Sequence, residues 1–311
     1  MTRPSRILSR SLALLVMIAA AFPIHGSHAG EMTRRSIPKT LEAMKRLMGG
    51  DYTYVDKDGL LIVSDLDQKT LYQLMARDFY IYVNVLTRDF YNQPHESGGK
   101  SAPIITIFLF KSRESYVKGL RKIGIDIAEE DENNQGAVRN GYFFGGRERN
   151  FILINYRDDY ERGISTYSHE LSHALLRREF ANPPTWLNEG IATMVGNSKI
   201  VNSHLRYTHG ASLARTKRKL EKGEMLKLSQ LLKARYEDFA ARENSQRFYD
   251  AGELFCRFLH SRNQLLPIYR DLRDARGRGG DAEIVVRITG LAIDRLEQVW
   301  YDWIQKQNGK P

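Results

Sequence analysis

The spacing of apolar residues predicts both helices and strands in the first half of the chain. From 71 to 90, apolar residues recur at intervals of three and four, which is the periodicity of an amphipathic helix. Short runs rich in β-branched and aromatic residues at 60–63, 104–110, 142–144 and 151–154 predict strands. A Gly-Gly turn between the last two runs predicts that they form a hairpin.

The second half of the chain has helical periodicity. A helix is predicted at 165–178, and a shorter one at 185–195 follows two consecutive prolines. From about residue 203 onward the pattern is helical throughout. The order of elements predicts an α+β fold: a mixed α/β lobe at 51–180 that ends in the first of these helices, and an all-α lobe at 181–311.

The first 29 residues have the composition of a secretory signal peptide. Three arginines precede an apolar run at 12–22, which is short for a membrane anchor, and small residues stand at Ser27 and Ala29. We predict cleavage near Ala29, export to a periplasm or beyond, and a short N-terminal segment at 30–50. No transmembrane segment is expected in the mature chain. An uncleaved N-terminal anchor is the alternative.

The net charge indicates which classes of partner to expect, and the cysteine count limits the possible disulfides. The formal net charge of +10 falls to +10 − 3 = +7 once the three leader arginines are removed. The densest basic run, 215–219, is either a solvated helix face or a surface that attracts an anionic envelope polymer or lipid. No nucleic-acid-binding motif is present, so no nucleic acid is expected as a partner. The single cysteine, Cys256, cannot form a disulfide within the chain and is expected to be a small buried residue.

Residues 169–173 read H-E-L-S-H and carry the most specific chemical signal. His169 and His173 are four residues apart, so on a helix both imidazoles lie on one face and can bind one zinc ion. Glu170 can then reach a zinc-bound water without binding the metal, which is the position of a general base. Glu189 is the natural third ligand, because a carboxylate in its apolar segment is costly unless it is paired. The alternative is that the two histidines are ordinary polar residues on an exposed helix face.

With these residues, the chain resembles the gluzincin metallopeptidases, in particular the peptidase-MA-like group. Members share an H-E-x-x-H helix followed by a W-L-x-E-G helix, and here 186–190 read W-L-N-E-G. The resemblance implies that one zinc ion per chain is bound by His169, His173 and Glu189. It also implies that Glu170 acts as base and proton shuttle within a thermolysin-like catalytic architecture.

The resemblance extends to segments on either side of the zinc motif. The strand pair at 142–154 resembles the hairpin that borders the substrate cleft, and Tyr249 lies in a Y-x-x-G segment whose tyrosine stabilises the oxyanion in aminopeptidase-N-like members. A phenol near the metal can donate to the charge that develops on a carbonyl oxygen. The alternative for Tyr249 is a packed helix tyrosine, and Tyr207 and Tyr236 are weaker candidates for the catalytic role.

The expected function is that of an exported zinc endopeptidase acting on a peptide or protein. The chain lacks the G-x-M-E-N segment with which aminopeptidases hold a free amine, and a hairpin edge can pair with an extended substrate. One alternative is a non-catalytic, zinc-loaded scaffold that binds an envelope partner or polymer, although a structural zinc site has no use for a base such as Glu170. The other is a zinc hydrolase of a non-protein envelope amide, since fold resemblance does not decide the substrate.

Overall fold

The computed structural model describes most of the chain after its first 36 residues, namely 37–57, 60–89, 104–122, 141–145, 149–156, 160–207, 211–241, 245–275 and 280–307. The predicted signal peptide lies outside these residues. Within them, no helix is both long enough and apolar enough to cross a membrane.

A mixed sheet organises the N-terminal part. In chain order the elements are α1 (Ile37–Met48), β1 (Thr53–Lys57), β2 (Leu60–Ser64), α2 (Gln68–Leu74), a π-helical segment (Met75–Phe79), α3 (Tyr80–Asp89), β3 (Ile104–Phe110), α4 (Arg113–Lys122), β4 (Gly141–Gly145), β5 (Arg149–Asn155) and α5 (Tyr160–Glu179). The strand order is β1-β2-β3-β5-β4, with β2, β3 and β5 parallel and both edge strands antiparallel to their neighbours. The predicted strands and the predicted hairpin are therefore confirmed, whereas β1 was not predicted.

Helices cover both faces of the sheet, as the apolar central strands require. In β2, Leu60 and Ile62 face one hydrophobic core. Leu61 and Val63 face the other, which α1 and α4 close. The first core continues without interruption into the C-terminal helices as far as Ile304. The N-terminal and C-terminal parts of the chain thus share one core.

The motif helix α5 is anchored to the π-helical segment. It begins at Tyr160, five residues before its predicted start, and the Tyr160 hydroxyl donates a hydrogen bond to the buried Asp78. Further along α5, the ring of Tyr167 stacks on Phe79 with ring centroids 4.0 Å apart, and its hydroxyl donates to the Phe79 carbonyl oxygen. Segments of π-helix often lie near functional sites. Here the segment fixes the helix that carries both histidines.

Helices and one short hairpin make up the C-terminal part. Its elements are α6 (Thr185–Gly196), β6 (Ser198–Val201), β7 (His204–Tyr207), α7 (Ala211–Glu221), α8 (Leu228–Leu232), α9 (Tyr236–Ala240), α10 (Ser245–Ser261), α11 (Leu265–Ala275), α12 (Asp281–Thr289) and α13 (Ile293–Lys306). The prediction of an all-α lobe is wrong at 198–207, where β6 and β7 pair antiparallel. Strands of four residues are too short for their alternation to stand out from a helical pattern. Their turn, Asn202 and Ser203, has positive φ angles at both residues.

A contact between two glycines brings α6 and α10 close together. A Cβ atom on Gly190 would lie 2.6 Å from Sγ of Cys256 and 2.7 Å from the carbonyl oxygen of Gly252, so a side chain there would force the helices apart. Cys256 is fully buried in this contact, as predicted, and burial raises the pKa of its thiol. It is therefore a packing residue rather than a nucleophile. The contact fixes α6 immediately after Glu189.

Candidate metal centre

Two helices bring His169, His173 and Glu189 together. The histidines lie on consecutive turns of α5, and Glu189 lies in the second turn of α6. The two Nε2 atoms are 3.2 Å apart, and Oε2 of Glu189 is 3.7 Å from Nε2 of His169 and 3.6 Å from Nε2 of His173. Each residue therefore directs one ligand atom toward a common point, and the group could hold a metal ion.

Glu189 is buried and lies in an apolar segment of α6. The residue is only 6% exposed, and its neighbours along the helix, Trp186, Leu187 and Ile191, are buried as well. Among the described residues, its polar partners are the two imidazoles and the amide of Asn188, and no lysine or arginine pairs with it. A buried carboxylate without a cation is costly. A metal ion bound at this point would remove that cost.

Asn188 sets the tautomer of His173. Its amide nitrogen donates to Oε1 of Glu189 at 3.4 Å, and its oxygen lies 3.0 Å from Nδ1 of His173. Because a carboxylate only accepts hydrogen bonds, the amide NH₂ group must face Glu189 and the amide oxygen must face His173. The neutral imidazole then carries its proton on Nδ1 and presents the lone pair of Nε2 to the ligand group. This is the arrangement that a metal-binding histidine requires.

Asn188 had no predicted role, although its position carries a signal. Metal-bound histidines almost always donate their other ring N–H to a carboxylate, a carbonyl or a water. A polar side chain directly before a candidate ligand such as Glu189 is therefore a natural place to look for that acceptor. The residue stands in the W-L-N-E-G segment, and only the folded structure shows which histidine it meets.

The last turn of α6 supports the first histidine. A Cβ atom on Gly196 would lie 3.2 Å from Cβ of His169 and 3.1 Å from the carbonyl oxygen of Ser165, so this turn packs directly on α5. The side chain of His169 is 23% exposed, whereas that of His173 is 8% exposed. The ligand group is therefore more open to solvent at His169.

Glu170 lies outside the ligand group, between α5 and the edge strand β4. The residue is 8% exposed and precedes His173 by one helical turn. A Cβ atom on Gly141 would lie 3.0 Å from its Oε1, so the carboxylate packs against the backbone of β4. On the same strand, the ring of Phe143 stacks on the His173 imidazole with ring centroids 5.9 Å apart. β4 therefore lies directly beside the candidate metal centre.

Tyr249 lies on α10 and is not a member of the three-residue group. It is half-buried, and its ring contacts that of Phe239 edge-on with centroids 5.2 Å apart. It precedes Gly252, the residue of α10 that contacts Gly190 of α6, by about one helical turn. Its catalytic role stays a prediction. Of the weaker candidates, Tyr236 is exposed at the start of α9 and Tyr207 lies in β7.

The basic run at 215–219 takes part in internal packing. Arg215 forms a two-pronged ion pair with Asp250 of α10, with N–O distances of 2.8 and 2.7 Å. Lys217 donates to two backbone carbonyl oxygens at the C-terminal end of α13. Two cations of the run therefore hold helices together. The prediction of a surface for an anionic partner rests on the remaining cations.

No model of a known protein family matches this chain, and no curated protein matches it either. The likeness to gluzincins thus rests on the two motifs and on the residues that they bring together. Family membership stays a prediction from those residues.

Proposed function

We propose that this protein is an exported, zinc-dependent metallohydrolase, and specifically an endopeptidase. The observation that carries the proposal is the convergence of His169, His173 and Glu189 beside an acidic residue, Glu170, with the chemistry of a general base. The rival interpretation, two ordinary histidines on an exposed helix face, is disfavoured because His173 is 6% exposed and faces a buried carboxylate.

The set of donor atoms favours zinc. Two imidazole nitrogens and one carboxylate are typical ligands of catalytic zinc, whereas calcium and magnesium prefer oxygen ligands alone. In a tetrahedral site with bonds of about 2.0–2.1 Å, ligand atoms are about 3.3 Å apart. The three separations of 3.2, 3.6 and 3.7 Å are close to that value. Three protein ligands also leave a fourth position for water or substrate.

Glu170 is the residue to which we assign proton transfer. When bound, a zinc ion would acidify a water molecule and polarise the scissile carbonyl group. Glu170 takes one proton from the attacking water while the water oxygen bonds to the carbonyl carbon. It then gives that proton to the amine nitrogen as the C–N bond breaks. Tyr249 donates a hydrogen bond to the carbonyl oxygen as negative charge develops there.

The position of β4 supports an extended peptide as the substrate. One side of β4 pairs with β5, and no strand in the described part of the chain pairs with the other side. An open strand edge can form backbone hydrogen bonds with an extended chain. This edge strand lies beside Glu170, so we infer that a chain paired along it would run past the proposed base rather than end there. That favours an endopeptidase over an aminopeptidase.

A thermolysin-like architecture is the finer form of the fold that we propose. The support is the order of the parts: a mixed sheet with an antiparallel edge strand, then the motif helix, then a largely helical part that supplies the third ligand. Each of these parts contacts the candidate metal centre. The proposal therefore concerns the arrangement around the site as well as the site.

The first experiment measures zinc content and peptide cleavage together. Zinc per chain is determined by elemental analysis, and a quenched peptide library is assayed with the wild type, with Glu170→Gln and with Glu161→Gln. Glu161 is a matched control because it is an exposed glutamate of the same helix. We expect about one zinc per chain in all three proteins. Cleavage should be lost only in Glu170→Gln.

Other outcomes separate the rival functions. One zinc per chain without any cleavage would favour the scaffold or a non-peptide amide substrate. Wild-type cleavage by Glu170→Gln would refute the assignment of the base. Absence of bound zinc from the wild type would mean that the motif is a chance match.

A further inference from the structure

A buried ion pair on α10 lies outside the candidate metal centre. Glu253 is fully buried, Arg257 is 4% exposed, and their closest nitrogen and oxygen atoms are 2.6 Å apart. Burial raises the pKa of Glu253, and the charge of Arg257 opposes that rise. Beyond the ion pair, the guanidinium forms no hydrogen bond with the described residues. Apolar residues of similar size are often as stabilising as such a pair, so stability alone is a weak explanation for it.

Glu253 also binds the end of α6. Its Oε2 accepts a hydrogen bond of 2.8 Å from the side-chain amide of Asn197. Asn197 caps the C-terminal end of α6 and directly follows Gly196. Gly196 is the residue whose backbone packs against His169. The buried pair therefore holds Asn197, which is the residue next to the glycine that packs on His169.

With this hydrogen bond, the contacts between α6 and α10 reach the C-terminal cap of α6. Near the start of α6, Trp186 packs on Phe255 of α10 with ring centroids 5.6 Å apart, and in its middle Gly190 makes a close contact with Gly252. The bond between Asn197 and Glu253 lies about 10 Å beyond that glycine contact. It therefore holds the C-terminal end of α6, which the other two contacts leave free to move. Movement of that end would matter here, because a binding constellation must be held to within about 0.5 Å of its working geometry.

We propose that Glu253, with its charge compensated by Arg257, is a positioning residue of the metal centre. It acts through Asn197, which it holds against α10 at the end of α6. This keeps Gly196 packed on His169 and keeps Glu189 at its distance from the two imidazoles. The inference rests on the proposed function, because it requires that the three candidate ligands bind a metal ion.

The test is a measurement of zinc affinity on the whole protein, by competition with a chromogenic chelator. The double variant Glu253→Leu, Arg257→Met removes both charges and approximately keeps the side-chain volume. We expect its zinc-free form to be as resistant to thermal unfolding as the wild type or more so. Its zinc affinity should nevertheless fall about tenfold, as when the supporting contacts of a metal ligand are removed.

A matched control removes another ion pair from the same helix. Arg215 and Asp250 join α10 to α7 rather than to α6. The double variant Arg215→Met, Asp250→Asn should therefore leave zinc affinity unchanged, even if it lowers thermal stability. Equal losses of zinc affinity in the two double variants would indicate a general loss of packing and would overturn the positioning role.

Asn197→Ala keeps the test decisive if the first double variant does not fold. This change removes the hydrogen bond between the end of α6 and Glu253, and it leaves both buried charges in place. We expect weaker zinc binding in the folded variant. If wild-type protein binds zinc and Asn197→Ala binds it equally well, the positioning proposal is refuted while the proposed function stands. If wild-type protein binds no zinc, the proposed function fails and the positioning role with it.

Discussion

The two walls of the candidate metal centre are built in different ways. On the ligand wall, formed by α6 and α10, close helix packing and side-chain hydrogen bonds hold Glu189 and support the histidines. On the strand wall, formed by β4, Glu170 lies against the backbone at Gly141 and the ring of Phe143 covers His173. The ligands are thus fixed from one side, and the proposed base faces the other. Changes in the ligand wall should alter metal affinity, and changes in the strand wall should alter turnover.

The largest effect on metal affinity is expected at Glu189. Glu189→Ala removes one of three protein ligands. The binding free energy of a structural zinc site is roughly 10–16 kcal/mol. If each of the three ligands contributes about a third of it, the loss of one lowers zinc affinity by about 10³-fold. Elemental analysis after dialysis should find little zinc in this variant and wild-type zinc in Glu170→Gln. Wild-type zinc content in Glu189→Ala would remove this residue from the site.

Tyr249 tests whether the ligand wall also acts on the substrate. Tyr249→Phe keeps the ring that packs on Phe239 and removes only the hydroxyl. We expect kcat to fall by about 10²–10³-fold, as when one oxyanion donor is lost, with zinc affinity unchanged. Tyr236→Phe is the control, because Tyr236 is exposed at the start of α9. An unaltered kcat in Tyr249→Phe would assign this residue to packing alone.

A smaller effect is expected where the ligand wall meets His173. Asn188→Ala leaves the Nδ1 proton of that histidine without its acceptor, so zinc affinity should fall by about 10–100-fold in chelator competition. Asn188→Asp retains the acceptor but loses the donor to Glu189, and should bind zinc more tightly than Asn188→Ala. Equal zinc affinities in wild type and Asn188→Ala would show that the tautomer of His173 is set by another contact.

The sequence predicts features that depend on neighbouring residues, but it does not predict contacts between residues far apart in the chain. The grouping of His169 and His173 follows from helical spacing, and α6 was expected at 185–195 because a Pro-Pro break and an apolar segment are local signals. β3 was predicted at its observed bounds for the same reason: its β-branched and aromatic composition is continuous. Features of this kind need no knowledge of what packs against them.

Contacts between distant residues leave no such signal. Asn197 and Glu253 are joined by a hydrogen bond across 56 positions of the chain. In the first turn of α5, Tyr160 is hydrogen-bonded to Asp78 across 82 positions. Local propensity cannot reveal either, because tertiary packing decides them. The β6–β7 hairpin is a local feature, but the sequence does not predict it, because strands of four residues are too short to show an alternating pattern.

The smallest effect, and the most direct test of the strand wall, is expected at Gly141. In Gly141→Ala, the new Cβ atom would lie 2.5 Å from Cγ2 of Thr166 and 3.0 Å from Oε1 of Glu170, so the carboxylate or the strand must shift. A misplacement of a catalytic group by about 1 Å can cost about 10²-fold in rate. A shift of the Glu170 carboxylate by a few tenths of an ångström should therefore lower kcat by about tenfold. Zinc affinity should stay at the wild-type value.

A second substitution makes the prediction for Gly141 specific. Thr166→Ser removes the methyl group that the new Cβ would meet most closely, so adding it to Gly141→Ala should restore part of the lost kcat. Thr166→Ser alone should have little effect on kcat, because residue 141 is then still glycine and has no Cβ atom to meet residue 166. If Gly141→Ala instead weakens zinc binding and leaves kcat unchanged, β4 supports the metal ligands rather than the base. The division of the site into a ligand wall and a strand wall would then be wrong.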